Sequence, residues 1–122
     1  MTDLARKLQI RPGRRVRLIH APDRHRPMLG GFDESAAGAE VVLLYSRMSD
    51  QLRRDAPAAI AAAGEDGILW VCYPKRSAGT PSDLSREACR DGMAPFGWRP
   101  VSQVSVDDVW SALRFRPLHL VG

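Results

Sequence analysis

Two stretches of the chain are apolar without interruption. Val41–Ser46 reads VVLLYS, and Ile68–Tyr73 reads ILWVCY. Continuous rather than alternating apolarity predicts strands buried on both faces, as in a parallel sheet. An earlier strand is predicted over Arg15–His20 (RVRLIH), ending at Ala21-Pro22. Helical periodicity occupies the intervals. Thr2 is placed to cap a short helix over about Asp3–Gln9, with Leu4, Leu8 and Ile10 as its apolar stripe, before the turn at Pro12-Gly13. Leu52, Ala56, Ala59, Ile60 and Ala63 fall close to one face of a helix from Ser49 to about Ala63. Pro57 lies inside that helix and is expected to kink it, or to split it with Asp55 recapping the second piece. Thr80-Pro81-Ser82-Asp83 reads as a capping box that opens a helix running to about Ala94 and stopping at Pro95-Phe96-Gly97. Two last strands, about Arg99–Val106 and Val109–Arg116, flank Asp107-Asp108 and predict an antiparallel hairpin. Residues 23–40 carry Pro27, Gly30, Gly31 and Gly38 and are expected to be an irregular crossover, with room for one helical turn near Arg24–Leu29.

Strands alternating with helices specify an α/β class with a mainly parallel sheet. The expectation is one Rossmann-like, three-layer domain over residues 1–122, with five strands. A length of 122 residues suits one domain with its own core and excludes a multi-domain enzyme. No apolar run reaches the roughly 18–20 residues of a membrane span, and Met1–Leu18 has no signal-peptide apolar stretch, so a cytoplasmic protein is expected. Cys72 and Cys89 fit no CxxC or His-spaced pattern; they are expected to be reduced, partly buried thiols, with no structural metal.

Charge changes the picture locally. Residues 1–31 hold eight basic and two acidic side chains, a net of +6, whereas residues 32–122 hold ten basic and twelve acidic, a net of −2. Such asymmetry marks either an anionic partner or arginines solvating one edge of the fold.

Two segments carry a resemblance. Asp66-Gly67-Ile68-Leu69-Trp70-Val71 with Tyr73-Pro74-Lys75 resembles the helix–turn–strand step in the later half of class I methyltransferases. Gly97-Trp98-Arg99-Pro100-Val101 and Asp107-Asp108-Val109-Trp110-Ser111-Ala112-Leu113-Arg114-Phe115 resemble their terminal hairpin. Over Leu8 to Pro117 the chain is similar to a bacterial family of small uncharacterised proteins with a Pro-Gly turn, a Tyr-Pro-Lys loop and a Trp-Ser-Ala-Leu-Arg-Phe ending. That family has no established activity, so the resemblance implies a fold. It also implies a sheet order of 1-2-3-5-4, with Arg15–His20 at an edge, where Arg15 and Arg17 would discourage edge-to-edge pairing. Methyltransferases place a glycine-rich loop after their first strand, against S-adenosylmethionine, and an acid at the end of the next strand, on the ribose. Here the first strand runs into His20-Ala21-Pro22-Asp23-Arg24-His25, which contains no glycine. No acid-tipped strand is predicted to follow. Both halves of the cofactor site are therefore expected to be missing, and no cofactor is expected.

Ligands of open parallel sheets bind beyond the carboxyl ends of the strands. Three such ends are His20-Ala21-Pro22-Asp23, Tyr45-Ser46-Arg47 and Tyr73-Pro74-Lys75-Arg76-Ser77. The third leads to a predicted helix N-terminus, which favours an anion. Lys75, Arg76, Ser77 and Thr80 are accordingly candidate ligand-binding residues, joined by Ser46, by Arg86 if it turns towards the loop, and by His20 as a general base. A self-capped surface loop is the alternative. His20, Asp23 and His25 lack the spacing of a helical metal motif, and Ser46 lacks nucleophile-elbow surroundings. The expected function is a non-catalytic module recognising a small anionic ligand or a partner protein, as a monomer or homodimer. A nucleic-acid-associated protein using the basic N-terminal segment, and an enzyme of unknown type, stay open.

Overall fold

The computed structural model describes residues 2–30, 32–35 and 38–121. Its elements are α1 (Asp3–Lys7), β1 (Arg15–Ile19), α2 (His25–Met28), β2 (Asp33–Glu34), β3 (Val41–Tyr45), α3 (Ser49–Ala63), β4 (Ile68–Pro74), α4 (Arg86–Met93), β5 (Trp98–Ser105) and β6 (Trp110–Pro117). They build an α/β Rossmann-like sheet in the order β2-β1-β3-β4-β6-β5. β2, β1, β3 and β4 run parallel, and the β5–β6 hairpin returns antiparallel, with β6 inserted beside β4.

The five expected strands keep their expected order, but among the described residues the sheet has six strands. The addition is β2, which pairs with Arg15 and Val16 of β1, its flanks tied by Asp33 N–H to the Arg14 carbonyl and Ser35 N–H to the Val16 carbonyl. β1 is therefore covered along its first half, and the outermost position belongs to β2. A two-residue strand of acids has no hydrophobic period to announce it.

β3 and β4 are buried at every position, as their unbroken apolarity requires. The pleat divides their side chains. Val42, Leu44, Leu69, Val71 and Tyr73 face α3 and α4 with Leu113 and Phe115. Val41, Leu43, Tyr45, Trp70 and Cys72 face α1 and Leu29, with Trp110 and Ala112. Leu8 and Ile10 anchor the α1 side, and the Trp70 indole N–H donates to the Leu8 carbonyl at 3.1 Å. Trp70, Trp98 and Trp110 are all core residues.

Three local expectations change. α1 stops at Lys7, two residues early, with Gln9 at φ +63°; its cap is Thr2, whose hydroxyl accepts from the Ala5 N–H. α3 passes through Pro57 unsplit, and Asp55 does not recap it. α4 starts at Arg86, capped by Ser85, rather than at Pro81. The Thr80–Asp83 motif is diverted to another helix: Asp83 accepts from the Ser49 N–H at 2.6 Å, and the Ser82 hydroxyl donates to the Arg47 carbonyl. Met48, the residue preceding α3, makes no side-chain cap, so Asp83 supplies it from across the fold.

Candidate functional site

The candidate residues part company at the carboxyl edge of the sheet. Lys75, Arg76 and Arg86 converge on one cleft of about 290 Å³, with Tyr73, Pro74, Leu84, Ser85, Glu87 and Ser111. β4 delivers Lys75, whose ammonium donates to the Ser105 hydroxyl at 2.6 Å, while its backbone N–H is held by the Val109 carbonyl at 2.7 Å. A 3₁₀ turn over Arg76–Ala78 exposes Arg76, and the start of α4 presents Arg86. Among the described residues, none of these three cations has a carboxylate partner within ion-pair distance. Ser85 takes the Ala88 N–H, while the earlier amides of the first turn have no intrahelical acceptor. Ser77 and Thr80 do not line this cleft.

His20 and Ser46 lie elsewhere. His20, in the left-handed region at φ +59°, places Nε2 3.2 Å from Asp55 on α3, with β3 standing between β1 and β4. It is a partner of α3 and does not serve the Lys75 loop. Asp55, also bonded by Arg54, is held below its ordinary value. Ser46 is buried, with its hydroxyl unpartnered and its N–H bonded to the Cys72 carbonyl, so it faces the interior. Both cysteines are free and buried, and burial pushes their thiols well up, Cys89 to about 12.

The main feature of this edge had no single signal in the sequence. His25, fully buried, joins Tyr45 and Asp107 in one chain of hydrogen bonds. Both distances, His25 Nδ1 to Tyr45 Oη and His25 Nε2 to Asp107 Oδ2, are 2.7 Å. Burial, with Cys72 and Asp107 nearby, pushes the Tyr45 hydroxyl far up, so it stays protonated. An ionised Asp107 only accepts, so Nε2–H donates in the bond that joins it to His25. Burial by itself would raise the Asp107 carboxyl. Bonds from His25 and from the Trp110 and Val109 N–H groups outweigh it and hold Asp107 at about 2. Trp110 closes the cluster with T-shaped contacts to Tyr45 at 5.1 Å and His25 at 6.4 Å, and Arg47 lies over its ring. Arg24 adds an outer ion pair to Asp107. The three polar members come from a crossover helix, a strand and a hairpin turn, and only the tertiary fold joins them.

No family model matches the chain, and no curated protein does. Solved structures do. An O-methyltransferase from neocarzinostatin biosynthesis, in complex with S-adenosylmethionine and 2-hydroxy-5-methyl naphthoic acid, matches with a TM-score of 0.63 at 16% identity over 95% of this chain. The chain spans about half of that enzyme, 50% of its length. A Streptococcus agalactiae protein of the NADB-Rossmann superfamily matches at TM-score 0.55 and 10% identity, over 96% of this chain and 68% of that one. The B. subtilis tRNA methyltransferase TrmK matches at 0.54 and 7%, over 96% and 66%. The fold is methyltransferase-like.

A methyltransferase-like fold implies S-adenosylmethionine after the first strand, and the residues there do not fit it. In place of small residues that would let a cofactor approach the backbone, the chain carries His20, Pro22 and Arg24, then the buried His25 bonded on both ring nitrogens. β2 does bring acids beside β1, contrary to expectation. Yet Glu34 is level with Val16, three residues before the end of β1, or about 10 Å below that edge at strand spacing. Its carboxylate is gripped by both Arg26 guanidinium nitrogens, at 2.5 and 3.1 Å, and that bonding lowers its pKa.

Proposed function

We propose that this chain is a binding module on a methyltransferase-like fold, recognising a small anionic ligand in the cleft at the carboxyl end of β4. One observation carries the departure from methyl transfer: His25 fills the position after β1 where the fold would place its cofactor loop, and Tyr45 and Asp107 lock it there. The positive half of the reading rests on Lys75, Arg76 and Arg86, which surround an open cleft with Glu87 as the one acid in its lining. Ligands of open α/β sheets gather at this edge. A phosphate or carboxylate there would accept charge-assisted hydrogen bonds without displacing an existing ion pair.

A thermal-shift screen against nucleotides, phosphorylated metabolites and S-adenosylmethionine tests the proposal. The expected result is stabilisation by a phosphorylated or carboxylated compound that Lys75→Ala abolishes. A stabilising compound whose effect survives Lys75→Ala refutes the site. Methyl transfer is the second reading, favoured by the fold and by the acids of β2 beside β1. Saturable binding of S-adenosylmethionine by calorimetry would move the conclusion there.

A further inference from the structure

The opposite edge of the sheet has an opening of its own. The amino ends of β1, β3 and β4, with Arg114 of β6, enclose a cleft of about 450 Å³, a size that suits a small ligand. Gly67 shapes it, because a Cβ there would meet the Ala63 carbonyl oxygen at 2.2 Å. Three arginines and two acids line it: Arg14, Arg15, Arg114, Glu40 and Asp66. Arg15 is committed to Glu40 at 3.7 Å, and Arg14 donates to the Gln9 carbonyl. Arg114 is different. It stands opposite Trp70 in the β4–β6 pairing, and its Nε is buried with no hydrogen-bond partner. Buried guanidinium N–H groups normally find an acceptor, and among the described residues this one has none, although its side chain borders the cleft. Burial and the neighbouring Arg116 both disfavour this charge as it stands, which an anion would reverse.

We propose that this cleft binds a small carboxylate on the guanidinium of Arg114, whose Nε–H, buried as the side chain stands, turns with one Nη–H to meet it. That edge of a guanidinium offers two parallel donors matched to two carboxylate oxygens. The lining leaves one positive charge in excess, three arginines against two acids, which suits a monoanion better than a doubly charged phosphate. The site lies at the other end of β4 from Lys75 and stands or falls independently of the function proposed above.

The experiment follows the arginine Nε–Hε resonances of the whole chain by 15N NMR, titrating acetate and benzoate against chloride at constant ionic strength. The expected result is a saturable shift of the Arg114 Nε–Hε, with the Gly67 amide moving in parallel. Arg114→Gln should abolish the Gly67 response, Arg114→Lys should weaken it at least about tenfold by losing the fork, and Lys75→Ala should leave it unchanged. A shift that never saturates, or that chloride reproduces, overturns the proposal; it would mean that water or Asp66 satisfies the group. Tighter saturation by inorganic phosphate overturns the ligand class. Should Arg114→Gln fail to fold, the wild-type titration decides alone.

Discussion

Asp107 concentrates the chemistry of the carboxyl edge in one side chain. It ends the β5–β6 turn by accepting two backbone N–H groups, and it also receives His25 from beneath. Its folded pKa of about 2 lies below the ordinary 3.8, so its contribution to stability is fully present above that ordinary value. The contribution is lost as pH falls through about 2. The shift corresponds to roughly 2 kcal/mol. Asp107→Asn is therefore expected to cost roughly that much near neutral pH, and the gap between the two proteins should close between about pH 5 and pH 2. Denaturant melts across that range measure it, and a gap that does not change with pH would count against the ionised Asp107–His25 bond. The residue pattern showed Asp107 in a turn. It did not show His25, because a histidine in a glycine- and proline-rich crossover carries no periodicity that marks it as core.

Long apolar or periodic elements were legible in the chain to within a residue or two, and the two misreadings, β2 and the start of α4, fall on polar segments. β3, β4 and α3 fall where their patterns put them, since burial on both faces or on one stripe leaves a repeat in the sequence. β2 and the start of α4 were illegible for opposite reasons. Two acids paired to β1 through their backbone show no pattern, while Thr80–Asp83 shows a capping pattern, of which the Asp83 carboxylate caps α3 and the Ser82 hydroxyl bonds the Arg47 carbonyl just before it. That long-range cap yields an expectation: Asp83→Ala should destabilise the protein by about 1 kcal/mol, the usual value of an N-cap, although α4 does not contain it. If amide exchange rises at the start of α4 and not in α3, the assignment is wrong. Pro57 supplies the opposite case. It is exposed in the interior of α3, where its missing N–H leaves the Arg53 carbonyl without its helical donor. Pro57→Ala should raise stability by about 1–3 kcal/mol with an unchanged denaturant slope. A loss of stability would mean that the ring shapes how α3 lies on the sheet.

At the scale of the whole molecule, the α/β class was readable from the alternation of elements and the order of the five expected strands followed from the resemblance to methyltransferases, whereas the candidate site residues were only partly brought together. Lys75, Arg76 and Arg86 share a cleft because β4 and α4 both end there; His20 and Ser46 are strand-end residues too, but a left-handed turn sends one to α3 and burial takes the other inside. The same scale decides what the basic N-terminal segment can do. Of the eight basic side chains in residues 1–31, Arg6, Arg15, Arg24 and Arg26 are engaged by Asp3, Glu40, Asp107 and Glu34. Lys7, Arg11, Arg14 and Arg17 are the four left to meet a phosphate backbone. Each phosphate neutralised on a duplex contributes about −0.9 to the slope of log K against log salt, so four contacts limit the slope to about −3.6. Binding to a short DNA duplex, measured by fluorescence anisotropy over a salt series, should therefore be weak and no steeper than that. A steeper slope that Lys75→Ala, Arg76→Ala and Arg86→Ala leave unchanged would show that the paired arginines leave their acids for DNA, and would turn the charge asymmetry into a nucleic-acid surface.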